Sequence, residues 1–141
     1  MMTENVHAAD RHGHTPLILA AREGKIDAVL DLLNRGAEVD AKSNKGKTAL
    51  HYAASNGHAE VIKILLQNGA TVDVRDRDGH TPLMFAANYG CNDCVASLLD
   101  SGADVNAKTV TGNNALVYAE TNGHPDTLDL LRKAQRAKQA V

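Results

Sequence analysis

Aromatic side chains are scarce in this 141-residue chain, which has no Trp, one Phe and three Tyr. A core of large rings is excluded, and a row of stacking platforms for single-stranded nucleic acid is disfavoured. Cysteine is almost absent too. Cys91 and Cys94 are too few for a disulfide framework, so the default expectation is a reducing, cytoplasmic compartment. No apolar run approaches the ~20 residues of a membrane helix, and the start MMTENVHAAD lacks the basic and apolar regions of a signal peptide. Nor is there an excess of one charge: 15 Lys and Arg against 17 Asp and Glu give a net −2, which argues against gross attraction of the whole molecule to nucleic acid or membrane. What remains is 43% hydrophobic and 23% charged, the composition of one ordinary folded unit with a core of Leu, Val, Ile and Ala.

Self-similarity organises the whole chain. Gly13, Gly46, Gly79 and Gly112 lie 33 residues apart, as do Gly24, Gly57, Gly90 and Gly123, while Gly36, Gly69 and Gly102 form a third series; together these are all 11 glycines. Each one therefore marks a backbone position. The period divides the chain into units 10–42, 43–75, 76–108 and 109–141, preceded by residues 1–9.

Within a unit the chemistry predicts two helices and a turn. Thr15, Thr48, Thr81 and Asn114 are N-cap types, and Pro16 and Pro82 suit a first helical position. The inner helix then carries Leu17, Leu50, Leu83 and Leu116, followed by Ala20, Ala53, Ala86 and Ala119, and ends at the second glycine series. The outer helix has period 3.6, with Val29, Leu32 and Leu33 in the first unit and Ile62, Leu65 and Leu66 in the second. The polar stretch after it reads as a β-turn finger. The fold class is an all-α repeat solenoid.

The motifs GHTPL, TALHYAA, GHAEV, LLQNGATVD and GADVNA resemble the ankyrin repeat and cover about nine-tenths of the chain. The resemblance implies a stack of helix-turn-helix units joined by β-turn fingers, no enzymatic activity and a monomer that binds another protein. Two departures stand out. Only the second unit keeps a His after its TPL or TAL motif, as His51; the others have Ile18, Met84 and Val117. The fourth unit replaces the second Ala with Glu120 and the glycine turn with RKAQRAKQ, as expected of a polar cap at the true end of the stack. At the other end VHAAD parallels VDAKS, so residues 1–9 are a leader that folds over Ile18, Leu19 and Leu30, or the tail of a preceding unit.

Three patterns suggest chemistry and are outweighed by their context. Ala41–Thr48, AKSNKGKT, satisfies a relaxed phosphate-loop pattern, but no buried strand precedes it and its Gly, Lys and Thr are lattice positions. Cys91 and Cys94 have a redox-like spacing at a helix start, yet Cys94 takes the core slot of Ala28 and Val61. A structural role for free thiols is expected, with a regulatory disulfide as the alternative. His12 and His14 are two apart near one finger tip with His7 close in sequence, but no Cys lies nearby and His80 is two units further along, so no metal site is expected there, and His58 and His124 are expected to bond to backbone at turns. No catalytic residues, metal or cofactor are expected.

Ankyrin-type binding uses the concave face, made of finger tips and the exposed side of the inner helices. Mapped here, the fingers offer Arg11, His12, His14, Asn44, Lys45, Lys47, Arg77, Asp78, His80, Val110, Thr111 and Asn113, with Lys42, Arg75 and Lys108 at their approaches. The inner helices add Arg22, Glu23, Ser55, Asn56, Asn88, Tyr89, Thr121 and Asn122. This set holds eight basic and two acidic side chains, a net +6 on a molecule of −2. A basic groove for an acidic protein segment is the expectation, with Tyr89 its best single anchor. Tyr52, Phe85 and Tyr118 are expected to pack between units instead. Two roles fit such a groove: an interaction scaffold or adaptor, or an inhibitor or immunity-like partner that plugs an enzyme's active site.

Overall fold

Caps and glycines divide the chain as their chemistry requires. The computed structural model describes residues 5–139, and among them the helices are α1 (Pro16–Glu23), α2 (Ile26–Asn34), α3 (Ala49–Ser55), α4 (Ala59–Gln67), α5 (Pro82–Tyr89), α6 (Asn92–Asp100), α7 (Ala115–Thr121) and α8 (Pro125–Gln139), with no strand. Thr15 Oγ1 accepts from the Ile18 N–H at 3.2 Å and Asn114 Oδ1 from the Val117 N–H at 3.1 Å, so side chains cap α1 and α7. All 11 glycines have positive φ, between 69° and 90°, and no other described residue does. Gly24 and Gly90 end α1 and α5 in the left-handed conformation that a side chain would strain.

The inner helices α1, α3, α5 and α7 stack on one another, and each also packs on its own outer helix, α2, α4, α6 or α8. Close approach is possible because Ala53, Ala54, Ala86, Ala87 and Ala119 are wholly buried. Leu65, Leu98 and Leu131 are likewise buried and Leu32 is 5% exposed, giving a column of four leucines at the 33-residue spacing. Each contributes about 1.5–3 kcal/mol of hydrophobic stabilisation.

Fingers are closed internally by pairs such as Ser43 N–H to Lys47 O (2.8 Å) and Gly46 N–H to Ser43 O (2.9 Å). Neighbouring fingers share one rung each: Asn44 N–H to His12 O (2.9 Å), Arg77 N–H to Lys45 O (3.1 Å) and Val110 N–H to Asp78 O (3.2 Å). Side chains add further ties between units. Asp40 accepts from the Thr71 N–H and hydroxyl (3.0 and 2.7 Å), and Asp73 from the Asp104 N–H (3.0 Å). His58 Nε2 bonds to Arg22 O and His124 Nε2 to Asn88 O, each at 3.0 Å, so these imidazoles bond backbone as expected, but the backbone of the preceding unit.

The first and fourth units differ from the two between them. Without a third glycine, α8 runs on to Gln139; Gln135 Nε2 bonds to Asn106 Oδ1 (2.7 Å) and Lys138 pairs with Asp104 (3.2 Å), clamping this extension onto the preceding unit. Val6 of the leader packs against the core and Ile18 is 1% exposed, whereas Leu30 remains 47% exposed. Residues 1–4 of the leader and Ala140 and Val141 of the last unit lie outside the described residues.

One expectation is corrected. Cys91 and Cys94 are joined in a disulfide and are not free thiols. Their i, i+3 spacing on the first turn of α6 brings the Cα atoms to 5.3 Å, within bonding reach. Cys94 still fills the predicted core slot, with no exposed surface.

Candidate interaction face

The fingers owe their shape to one position three residues before the first glycine series: Asp10, Ser43, Asp76 and Thr109. Asp10 Oδ1 accepts from the N–H groups of His12 (2.9 Å) and His14 (3.0 Å); Asp76 Oδ1 does the same for Asp78 (3.0 Å) and His80 (2.9 Å). Ser43 Oγ serves Lys45 and Lys47, both at 3.3 Å, and Thr109 Oγ1 serves Asn113 at 3.2 Å. The amide of His14 chiefly holds the Asp10 carboxyl below its usual range. The sequence carried this signal at the 33-residue spacing, but acceptor types that differ from unit to unit hid it.

The first turn aims its imidazole at the next unit's inner helix, and the third sets its ring between its own inner helix and the next. The His14 ring meets Tyr52 edge-on at 5.4 Å, and its Nε2 lies 3.1 Å from the Tyr52 hydroxyl, which donates to Ser43 Oγ (3.3 Å). His80 lies 5.2 Å from Phe85 and 6.0 Å from Tyr118. Tyr52, Phe85 and Tyr118 are therefore half-buried floor between units, as their lattice slot predicts. Lys47 Nζ stands over this floor, 4.8 Å from the Phe85 centroid and 5.8 Å from that of Tyr52.

His51 locks the second and third units together beneath the floor. It is fully buried; its Nδ1 lies 3.0 Å from the Thr48 N–H, which donates to it, and its Nε2 donates to His80 O at 2.9 Å. Burial pushes its pKa down to about 4, against the opposing pull of the His80 carbonyl. In the third unit Met84 offers only its sulfur to the Thr81 N–H, at 3.4 Å, and the buried Thr81 hydroxyl has no partner among the described residues.

On the face itself Arg11, His12, Lys42, Asn44, Lys45, Asn56, Arg75, Arg77, Asp78, Tyr89, Lys108 and Asn122 are exposed, while His14, Arg22, Lys47, His80, Asn88 and Asn113 are half-buried. Tyr89 is 60% exposed and Val110, at the fourth finger tip, 78%. Several of these residues also have a folding job. Arg75 Nη1 donates to Lys108 O at 2.6 Å, Asn56 Nδ2 to Tyr52 O at 2.9 Å, and Asn122 Nδ2 to both Asn88 Oδ1 and Tyr118 O at 2.8 Å. Asp76, Asp78 and His80 bring ligand atoms within 4.8 Å of one another, but the Asp76 carboxylate is already committed to turn amides and to the His80 ring.

None of Arg11, Arg22, Lys42, Lys45, Lys47, Arg75, Arg77 and Lys108 makes an ion pair among the described residues; of the seven other basic side chains Lys25, Arg35, Lys63 and Lys138 pair with Glu23, Asp31, Glu60 and Asp104, and Arg132, Lys133 and Arg136 do not. The first two fingers and the inner helices behind them also border an open hollow of about 430 Å³ whose lining includes Arg22, Lys45, Lys47 and Tyr52 and no carboxylate.

Helix pairs stacked side by side, with fingers projecting along one edge, define a repeat solenoid that offers an extended face. A family model for three copies of the ankyrin repeat matches residues 28–109 and 72–140, and a single-repeat model matches residues 12–41. The chain belongs to the ankyrin repeat family. Ankyrin repeats are protein–protein interaction modules, typically non-enzymatic, so a protein partner is implied. No curated protein matches the chain. No helix among the described residues is long and apolar enough to cross a membrane.

Proposed function

We propose that this protein is a non-enzymatic interaction module that grips an acidic segment of a partner protein on its concave face. The observation that supports this best is the set of eight basic side chains on the fingers and inner helices, against two acids, that make no ion pair among the described residues. Placing cations side by side costs free energy through mutual repulsion, and an acidic ligand relieves it while long-range attraction speeds encounter. Tyr89 supplies apolar contact area with little side-chain entropy to lose.

Site-specific photo-crosslinking tests the face. A benzophenone side chain at Tyr89 should capture a partner, and one at Gln67, an exposed end of outer helix α4, should not. The purified partner should then bind the triple variant Lys45→Glu, Arg77→Glu, Lys108→Glu more weakly than wild type, with its salt dependence reduced. Arg75 is left intact because it ties the third finger to Lys108 O. Equal capture at both positions, or unchanged affinity, rejects the reading. If the captured partner is an enzyme, its loss of activity in the complex separates an inhibitor from an adaptor.

A further inference from the structure

The hollow between the first two fingers has a more specific chemistry than the face around it. Arg22 reaches it from the last turn of α1, Lys45 and Lys47 from the second finger, and Tyr52 from α3. Three basic side chains thus line a hollow of about 430 Å³ with no acid in its wall. The one nearby carboxylate bonded to this group, Asp10, is engaged by the His14 ring at 3.3 Å. Lys47 is held over the faces of Phe85 and Tyr52, which positions its ammonium without neutralising it. Ser43 Oγ lies 3.3 Å from the N–H groups of Lys45 and Lys47 and from the Tyr52 hydroxyl, which fixes the wall of the hollow between them.

A carboxylate carries one charge and two oxygens, which would leave two of these three cations uncompensated. A phosphomonoester carries −1.5 to −2 charges and three strong acceptor oxygens. Resting on the acidic-partner reading above, we infer that this hollow is an anchoring subsite for a phosphoserine or phosphothreonine side chain of the partner. The phosphoryl oxygens accept from Arg22, Lys45 and Lys47, and the peptide on either side runs along the face past Arg11 and Arg77. The protein partner that ankyrin repeats imply makes the ligand a polypeptide, and the exposed Arg11 and Arg77 are available to acidic residues that flank its phosphate.

The test compares three matched degenerate peptide pools, centred on phosphoserine, on serine and on glutamate, by fluorescence anisotropy. The phosphoserine pool should bind wild type about tenfold or more tightly than the glutamate pool, the discrimination expected of one or two added charge-assisted hydrogen bonds. The double variant Arg22→Ala, Lys45→Ala should lose that preference while keeping wild-type circular dichroism, and Lys63→Ala on outer helix α4 should keep it. Inorganic phosphate should compete only at concentrations far above those of the phosphopeptides. Equal binding of the phosphoserine and glutamate pools overturns the inference, as does binding of no pool, a preference retained by the double variant, or a preference lost equally in Lys63→Ala. Phosphate competing as well as the peptides overturns the assignment to a polypeptide. The acidic-partner reading fails separately, by the triple variant's unchanged affinity for the crosslinked partner.

Discussion

Acid should weaken this stack through His51 in particular. The imidazole titrates at about 4 in the folded protein, against 6.5 for an unperturbed His. As pH falls below 6.5 the unfolded chain takes up this proton first, so stability is lost progressively until the folded-state pKa is reached. At 1.36 kcal/mol per pKa unit the loss is about 2 kcal/mol at pH 5 and about 3 kcal/mol at pH 4 and below. The partners define the cost: a protonated ring cannot accept from the Thr48 N–H, and its charge would sit with no exposed surface. Urea unfolding of wild type and His51→Gln across pH 7 to 4 isolates the effect, because Gln does not titrate. The variant should be about 1–3 kcal/mol less stable at pH 7, where it loses a fitted ring, and the gap should shrink or reverse towards pH 4. Parallel loss of stability in the two proteins would refute the reasoning that a buried neutral imidazole holds this interface.

Other perturbations probe the same architecture. Met84→His should stabilise the protein by about 1 kcal/mol in thermal or urea melts, because a ring there gives the Thr81 N–H a stronger acceptor and reaches towards Asn113 O as His51 reaches His80 O; a destabilised variant would mean that packing of Met84 matters more. Gly24→Ala should cost about 1–3 kcal/mol more than Gly36→Ala. Both have positive φ, but a Cβ at Gly24 would lie 2.6 Å from the His58 ring that bonds Arg22 O, while one at Gly36 meets nothing within 4 Å; equal costs would remove the His58 bridge from the account. Reduction of the Cys91–Cys94 bond should lower stability by at most about 2 kcal/mol, the loop-closure value for so short a loop, measured as a melting shift that the Cys91→Ala, Cys94→Ala variant does not show.

The helices were legible in the sequence because glycine, Leu and Ala each recur at fixed lattice positions, and backbone conformation at those positions is decided locally. Gly24 ends a helix because its φ must be positive, whatever else the chain does. The finger turns were harder to read, since Asp10, Ser43, Asp76 and Thr109 perform one job with three different side chains. The disulfide is not legible from position alone, because a core slot and a bonding partner are compatible for Cys94 and the lattice reveals only the first. The net charge of the face could be summed from the sequence. Whether each cation finds a carboxylate could not, because Lys25, Arg35 and Lys63 pair within their own helix or loop while Arg77, flanked by Asp76 and Asp78 in sequence, makes no ion pair among the described residues. Arg75 shows the converse, a side chain counted towards binding that is bonded to the neighbouring unit's backbone.

The affinity of the Tyr89-crosslinked partner for wild type and for Lys45→Glu, Arg77→Glu, Lys108→Glu, at about 0.01 M and about 0.15 M salt, tests the central claim most directly. The account predicts tight binding by wild type that weakens steeply as salt is added, and binding by the variant that is weak and nearly salt-independent. Equal affinities and equal salt slopes for the two proteins would contradict it.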